Sequence, residues 1–280
     1  MLDTSFLDAY VTMNTQYRLY KGAWIFAHDP HLEQKLSENE KKTIFSRGGL
    51  MIRNCFDFDC GVNTSFWYVI KDSFGGMEEL SSKMRNQVKK CYKTMRVQKI
   101  SSETLLKFGY EVYVAATDNY KIKAVPPTRS EFELRINNAE ENEYWACFDI
   151  ETELMVGFCM NKVTKESCEY RTMKAIPEYQ KKYAYYGLIY EMNRYYLEER
   201  RLKYVNDGAR SISNHSNMQP FLIDKFNFRK AYCNLNIYYK WWFGFAVKTL
   251  FPLRKFIKNS KVRAILDMES MSKDNYVFHQ

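Results

Sequence analysis

Between Tyr144 and Ala175 the chain carries three strand-like runs, Tyr144–Ile150, Leu154–Val163 and Cys168–Ala175, rich in aromatic, β-branched and other apolar residues. The polar turns between them, at Glu151-Thr152 and Thr164–Glu166, are only a few residues long. A parallel neighbour needs a crossover of about a dozen residues or more, whereas an antiparallel one needs a short turn. The segment therefore predicts an antiparallel meander, and the rest of the chain has to fold around it.

After the meander, Lys182–Arg200 holds Tyr185, Leu188, Ile189, Met192, Tyr195 and Tyr196 at helical spacing. Lys203–Asn206 reads as a strand ending at Asp207-Gly208, Asn217–Phe226 as a short helix and Arg229–Tyr239 as a long last strand. Upstream, Val97–Ile100 predicts a strand and Ser102–Asn119 a helix weakened by Gly109. Thr128-Arg129-Ser130-Glu131 has the form of a capping box, in which a hydroxyl and a carboxylate satisfy free N–H groups at a helix start. From residue 96 the order is β-α-α-β-β-β-α-β-α-β.

Ahead of this run, residues 1–48 show no clean period and are expected to form an irregular or helical cap. Leu50–Phe58 and Phe66–Lys71, separated by Gly61-Val62-Asn63, read as a hairpin. Met77–Met95 reads as a helix with Leu80, Met84, Val88, Cys91 and Met95 in one apolar stripe. Its other faces are cationic: Lys83, Arg85, Lys89, Lys90 and Lys93, then Arg96 and Lys99, stand against Glu78 and Glu79 alone. A second basic stretch, 240–263, interleaves Lys240, Lys248, Arg254, Lys255, Lys258, Lys261 and Arg263 with Trp241, Trp242, Phe243, Phe245, Phe251 and Phe256, and Pro252 should split any helix there. Such a segment suits a membrane surface; the plainer reading is a terminal helix packing its aromatics on the domain.

The 42 Lys and Arg against 33 Asp and Glu leave a formal charge of +9, which favours phosphates, nucleic acid or a lipid surface as partners, beside the plain alternative of a basic soluble surface. The seven cysteines lack Cys-x-x-Cys spacing and read as reduced core thiols of a cytoplasmic protein, without a metal site. The first residues lack a signal-peptide pattern, and no run approaches the length of a membrane span. Nucleophile-elbow, Walker, His-Glu-x-x-His and Gly-x-Gly-x-x-Gly motifs do not occur, which leaves hydrolase, NTPase, metalloprotease and Rossmann readings without support.

The element order over 96–239 resembles the GNAT superfamily of acyl-CoA transferases. Ile176-Pro177-Glu178-Tyr179-Gln180 stands where that family has its pyrophosphate loop, and Phe221–Lys230 resembles its short helix before the last strand. The resemblance implies an α/β (α+β) fold: a mixed, mostly antiparallel sheet with a splayed parallel strand pair and helices on both faces. It divides the chain into an extension with hairpin and basic helix (1–95), a GNAT-like domain (96–239) and a basic aromatic tail (240–280). The loop's two small positions fall on Tyr183 and Tyr185, the glycine before the last strand on Asn227, and the usual general-acid tyrosine on Ile223. With the basic helix, these departures are also similar to the Fem-type transferases, which take an activated amino acid from tRNA.

By resemblance, the donor is acetyl-CoA or another acyl-CoA, or alternatively aminoacyl-tRNA, and the acceptor an amine or hydroxyl. A catalytically silent module that binds membrane or nucleic acid is the third reading. The donor would lie along Met173, Ala175, Gln180, Lys181, Lys182 and Asn206. Glu169 occupies a family-like position for a base, or is a solvated strand residue. Asn206-Asp207-Gly208-Ala209-Arg210-Ser211 with His215 is the densest polar cluster, at the C-terminal end of a strand where α/β sites gather. Asp207 and His215 are its proton-transfer candidates, Arg210 and Ser211 its acceptor-binding ones; a plain turn and helix cap is the equal alternative. Tyr232, early in the last strand, could stand in for the missing acid.

Overall fold

The computed structural model describes residues 17–20, 22–117, 125–137, 141–212 and 217–275. In chain order the elements begin with β1 (Tyr17–Tyr20), β2 (Ala23–Phe26), α1 (Glu38–Ser46), β3 (Met51–Phe56), β4 (Phe66–Lys71), α2 (Ser82–Thr94) and β5 (Met95–Ile100). There follow α3 (Ser102–Thr117), α4 (Arg129–Asn137), β6 (Asn142–Asp149), β7 (Met155–Val163), β8 (Ser167–Ala175), α5 (Pro177–Lys181) and α6 (Ala184–Asn193). The last are β9 (Tyr204–Ala209), α7 (Met218–Phe226), β10 (Arg229–Tyr239), α8 (Trp241–Leu250) and α9 (Ser260–Lys273). The chain divides into two compact units, one from Met1–Tyr68, Ala209–Ser216 and Lys230–Gln280, the other from Val69–Gly208 and Asn217–Arg229. These run along different lines from the division at 95/96 and 239/240: α2 goes with the meander, and nearly all of β10 with the N-terminal strands.

In the second unit the strand order is β9-β8-β7-β6-β5, with the expected meander at its centre. β5/β6, β6/β7 and β7/β8 are antiparallel, with irregularities at Cys147/Phe148 and Met160/Asn161. Alternation sends Trp145 and Cys147 to one face, where they pack with Met84, Val88 and Cys91 of α2 and Leu188, Ile189 and Met192 of α6. Tyr144, Ala146 and Phe148 face the other way, against Leu105 and Val112 of α3 and Phe132 and Ile136 of α4. Helices thus cover both faces of a mixed, mostly antiparallel sheet, as the resemblance implied.

The helix expected over Lys182–Arg200 is interrupted twice. Tyr183 breaks its start with a left-handed φ of 73°, so that a short α5 precedes α6. Its end widens into a π turn, Arg194–Glu199, closed by the Arg200 N–H on the Tyr195 carbonyl (2.8 Å). The extra residue per turn swings Tyr196 into the core, where its hydroxyl accepts from Trp145 Nε1 (3.0 Å) and donates to Glu143 (3.0 Å). Glu143 in turn holds Arg200 (2.6 Å) and Lys99 (2.9 Å), so the buried phenol is tied to a surface ion cluster.

In the first unit, β1 and β2 form an antiparallel pair, β2 lies parallel to β3, and β3 is antiparallel to β10. Two expectations are corrected here. The described part of 1–48, expected as an irregular or helical cap, holds one helix, α1, started by a capping box between Ser37 and Glu40, but also the strands β1 and β2. Strands β3 and β4 do not form a hairpin, because β10 lies between them in the sheet. The connecting loop is bonded to β10 instead, through Cys60 N–H to Tyr232 O (3.0 Å) and Thr64 Oγ1 to Cys233 O (2.7 Å). Local alternation specifies a strand but not its partner, so the nearest run is the default and here the wrong one.

Where α2 crosses α6 the helices meet at Gly187. A Cβ there would stand 2.4 Å from Cys91 Sγ and 3.1 Å from a methyl of Val97, so only glycine allows this approach. Gly187→Ala is therefore expected to destabilise the protein by about 1–3 kcal/mol in denaturant unfolding. Adding Cys91→Ala should restore part of the loss; equal stability of wild type and single variant would show that the helices can slide apart.

Candidate functional site

The site grows from the way β8 changes neighbours. Its antiparallel pairing with β7 runs to Gly157↔Ala175, whereas its parallel register with β9 comprises Ser167↔Tyr204, Cys168↔Val205 and Glu169↔Asn206 and ends there, with both strands continuing. Asn206, 2% exposed, stands at the fork. Its Nδ2 donates to the Cys168 carbonyl (3.3 Å) and its Oδ1 accepts from the Gly208 N–H (3.0 Å), turning the chain as the strands part. Gly208 has φ +76°, where a side chain would be strained, and the site of its missing Cβ lies 3.8 Å from Glu169 Oε1.

Asp207 sits between these two residues, its carbonyl accepting from Gln219 Nε2 of α7 (3.3 Å). Burial, and then the negative charge of Glu169, push its carboxyl up to about 7. Glu169 is itself bridged to Arg171 (2.8 Å). The result is a carboxyl balanced between its two protonation states near neutrality, beside a second carboxyl paired with an arginine.

Further along β8, Met173 is half-buried and Ala175 fully buried, and the Ala175 carbonyl accepts from Gln180 Nε2 (2.7 Å). Gln180 is thus bonded to its own strand. Tyr183 keeps the left-handed turn that a small residue would make, but fills the space beside it with a ring packed on Tyr186, centroids 5.3 Å apart. Lys182 is paired with Glu178 (3.1 Å) and lies 4.6 Å from the Tyr179 ring centre, while Lys181 is exposed. Tyr179, partly buried and bonded to Asp149, is pushed up to about 12 by desolvation and that bond, and stays a neutral phenol. Lys90 of α2 reaches to 5.9 Å from the Tyr183 ring centre, which places the cationic helix beside this loop. Lys83, Lys89 and Lys93 on α2 are exposed and have no ion-pair partner among the described residues.

The structure thus gathers Glu169, Asn206 and Asp207 at the fork and sets Met173, Ala175, Gln180, Lys181 and Lys182 along one edge of it. Arg210, Ser211 and Tyr232 belong to the other unit, and His215 lies outside the described residues. Arg210 is held there by the Ser65 carbonyl (2.6 Å) and stacks its guanidinium 4.6 Å from the Trp67 ring centre. Sequence reasoning missed Arg171, Gln219 and Lys90 as partners of the site. Arg171 was readable two residues from Glu169 on the same face of a strand; the other two come from distant helices and left no local signal.

No family model matches the chain, and no curated protein matches it. Among solved structures it is similar to FemX, at 10% identity and a TM-score of 0.58, over 78% of this chain and 81% of that one. It is also similar to L-PGS from Bacillus licheniformis, at 12% identity and a TM-score of 0.49, over 91% and 85%. A third likeness, to the PaiA N-acetyltransferase from Thermoplasma acidophilum in complex with coenzyme A, has 16% identity and a TM-score of 0.31, over 38% and 74%. At such identities the likeness is one of fold. The fold is GNAT-like, with similarity to the Fem-type transferases.

Asp207 gives the site a testable signature. Its folded value lies above that of an ordinary carboxyl, so its contribution to stability is present in full below about pH 4 and is lost as the pH rises through about 7. Asp207→Asn removes this dependence. Measured by urea unfolding, the variant should gain on the wild type between pH 4 and 8 by on the order of 2–4 kcal/mol. A difference that does not change with pH would show that the carboxyl titrates normally.

Proposed function

We propose that the chain is a GNAT-fold acyltransferase in which an amine attacks an activated acyl carbonyl held beyond the fork of β8 and β9, with Asp207 carrying the proton. The observation that supports this is the Asp207 carboxyl, raised to about 7 at the point where the strands part. The N–C bond forms as the bond from the carbonyl carbon to the leaving group breaks. The amine loses a proton and the leaving group gains one. A carboxyl balanced near neutrality can accept the first and return it as the second, so the isoleucine at the general-acid position, Ile223, does not preclude turnover. Glu169, held by Arg171, serves as the fixed negative charge that keeps Asp207 basic enough.

For the donor, an aminoacyl ester on tRNA suits these residues better than an acyl-CoA. The loop that would cradle a pyrophosphate is filled by Tyr183, and Gln180 and Lys182 are engaged within the protein. The exposed lysines of α2, one of them beside that loop, suit a longer polyphosphate track. Acyl-CoA is the second reading, favoured by the left-handed turn that Tyr183 preserves at the N-terminus of α6 and by the exposed Lys181.

Binding titrations separate the two. Aminoacylated tRNA is expected to bind with an affinity that falls steeply with salt, and Lys89→Glu/Lys93→Glu should weaken it by about tenfold or more and flatten the salt slope by about two contacts. Coenzyme A should bind weakly and be indifferent to that change. Tight coenzyme A binding, with tRNA binding insensitive to both salt and the lysines, transfers the assignment to acyl-CoA. Asp207→Asn should lower turnover by about a hundredfold or more and abolish the rise of rate through about pH 7, with donor affinity retained.

A further inference from the structure

The segment after β10 is a second surface with a chemistry of its own. Helix α8 is seated by a narrow stripe: Gly244 packs so closely that a Cβ would lie 3.0 Å from Tyr239 Cβ, and Val247 is buried. Tyr239 in turn donates to Glu269 of α9 (2.9 Å), fixing the base on which α8 rests. The helix stops at Leu250, and Pro252 opens a 3-10 turn over Phe251–Phe256, as the sequence led one to expect. The opposite side is left outside. Trp241 is 86% exposed, Phe245 73% and Phe256 80%, with Trp242, Leu250 and Leu253 exposed beside them.

Trp241 and Phe245 stand one helical turn apart, with Lys248 on the same side, and Lys255, Lys258, Lys261 and Arg263 are exposed beyond. No acid occurs from Lys240 to Leu266. The plainer sequence reading, aromatics packed on the domain, holds for Phe243, whose ring lies 5.9 Å from that of Tyr239 in β10, but not for Trp241, Phe245 or Phe256. Soluble surfaces rarely leave so many large apolar side chains together in water.

We propose that this face is a peripheral docking surface for an anionic lipid bilayer. Trp241, Phe245, Leu253 and Phe256 enter the headgroup zone, and the flanking lysines meet lipid phosphates. Charge selects this occupant over a second copy of the chain, because two such faces would bring like charges together with no acid to offset them. The outward leucines select it over nucleic acid, for which only the aromatic rings would be useful as stacking platforms. Among the described helices none is long and apolar enough to cross a membrane, so the segment lies on the bilayer rather than through it.

Flotation of the full chain with vesicles tests this. Vesicles of phosphatidylcholine mixed with phosphatidylglycerol should carry the protein at low salt, and vesicles of phosphatidylcholine alone at least about tenfold less. Trp241→Ala/Phe245→Ala/Phe256→Ala should lose binding by about tenfold or more with an unchanged melting temperature, since the side chains removed are exposed. Lys255→Glu/Lys258→Glu should lose the preference for the anionic lipid. Independently of any loss of binding, brominated lipid should quench the wild-type tryptophan fluorescence and do so much less in Trp241→Phe/Trp242→Phe. Equal flotation with both vesicles, or undiminished binding of the triple variant, overturns the proposal. So does an absence of vesicle binding accompanied by single-stranded RNA binding, or by a dimer, that the triple variant loses.

Discussion

Strand β8 must satisfy two edges of backbone with unequal partners, and the site follows from that inequality. Its β7 edge is paired to Ala175, while its β9 edge is paired only as far as Glu169. Strand backbone that loses its neighbour needs other partners. Side chains supply two of them: Asn206 on the Cys168 carbonyl at the fork and Gln180 on the Ala175 carbonyl at the far end. Between those two closures lies a length of strand edge, and both closures are amides, which bond without adding charge to a partly buried place.

That economy of charge gives Asp207 its character. Burial alone disfavours its ionised form, and the neighbouring Glu169 adds to the effect. Glu169 in turn is paired with Arg171 at 2.8 Å, which holds that side chain in place beside Asp207. The placement of Glu169 thus depends on a residue two positions along the same strand, and a sheet is well suited to this because i and i+2 share a face.

Much of this was legible in the sequence because it is written locally. The meander shows in the shortness of its turns and the degenerate loop in Tyr183 and Tyr185, whereas Asp207-Gly208, expected to stop a strand, lies inside β9, which runs on to Ala209 past the end of its pairing with β8. What was not legible depends on partners far away in the chain. The insertion of β10 between β3 and β4 leaves each strand's own alternation unchanged, and the strands β1 and β2 lie in a region whose short runs have no period long enough to read. The π turn that buries Tyr196 interrupts a helix whose side-chain spacing alone gives no sign of it, since Tyr195 and Tyr196 continue the helical spacing of Leu188, Ile189 and Met192. Arg210, whose residue type suggested an acceptor site, has a guanidinium that donates to the Ser65 carbonyl and lies over the Trp67 ring, contacts that its local sequence does not show.

Tyr183 unites the two kinds of information. A tyrosine with φ 73° is strained relative to glycine, by on the order of 1 kcal/mol, so a loop with no use for the turn would have no reason to hold it. The turn persists because it sets the direction of α6, and α6 must arrive with Gly187 against Cys91 for the α2 face of the core to close. The backbone geometry of a phosphate loop can therefore be kept for packing after its open space has been filled. On this view the tyrosine is no evidence that an anion binds at the loop itself. On the function proposed above, the weight of anion binding falls instead on the lysines of α2, of which Lys90 lies beside the ring.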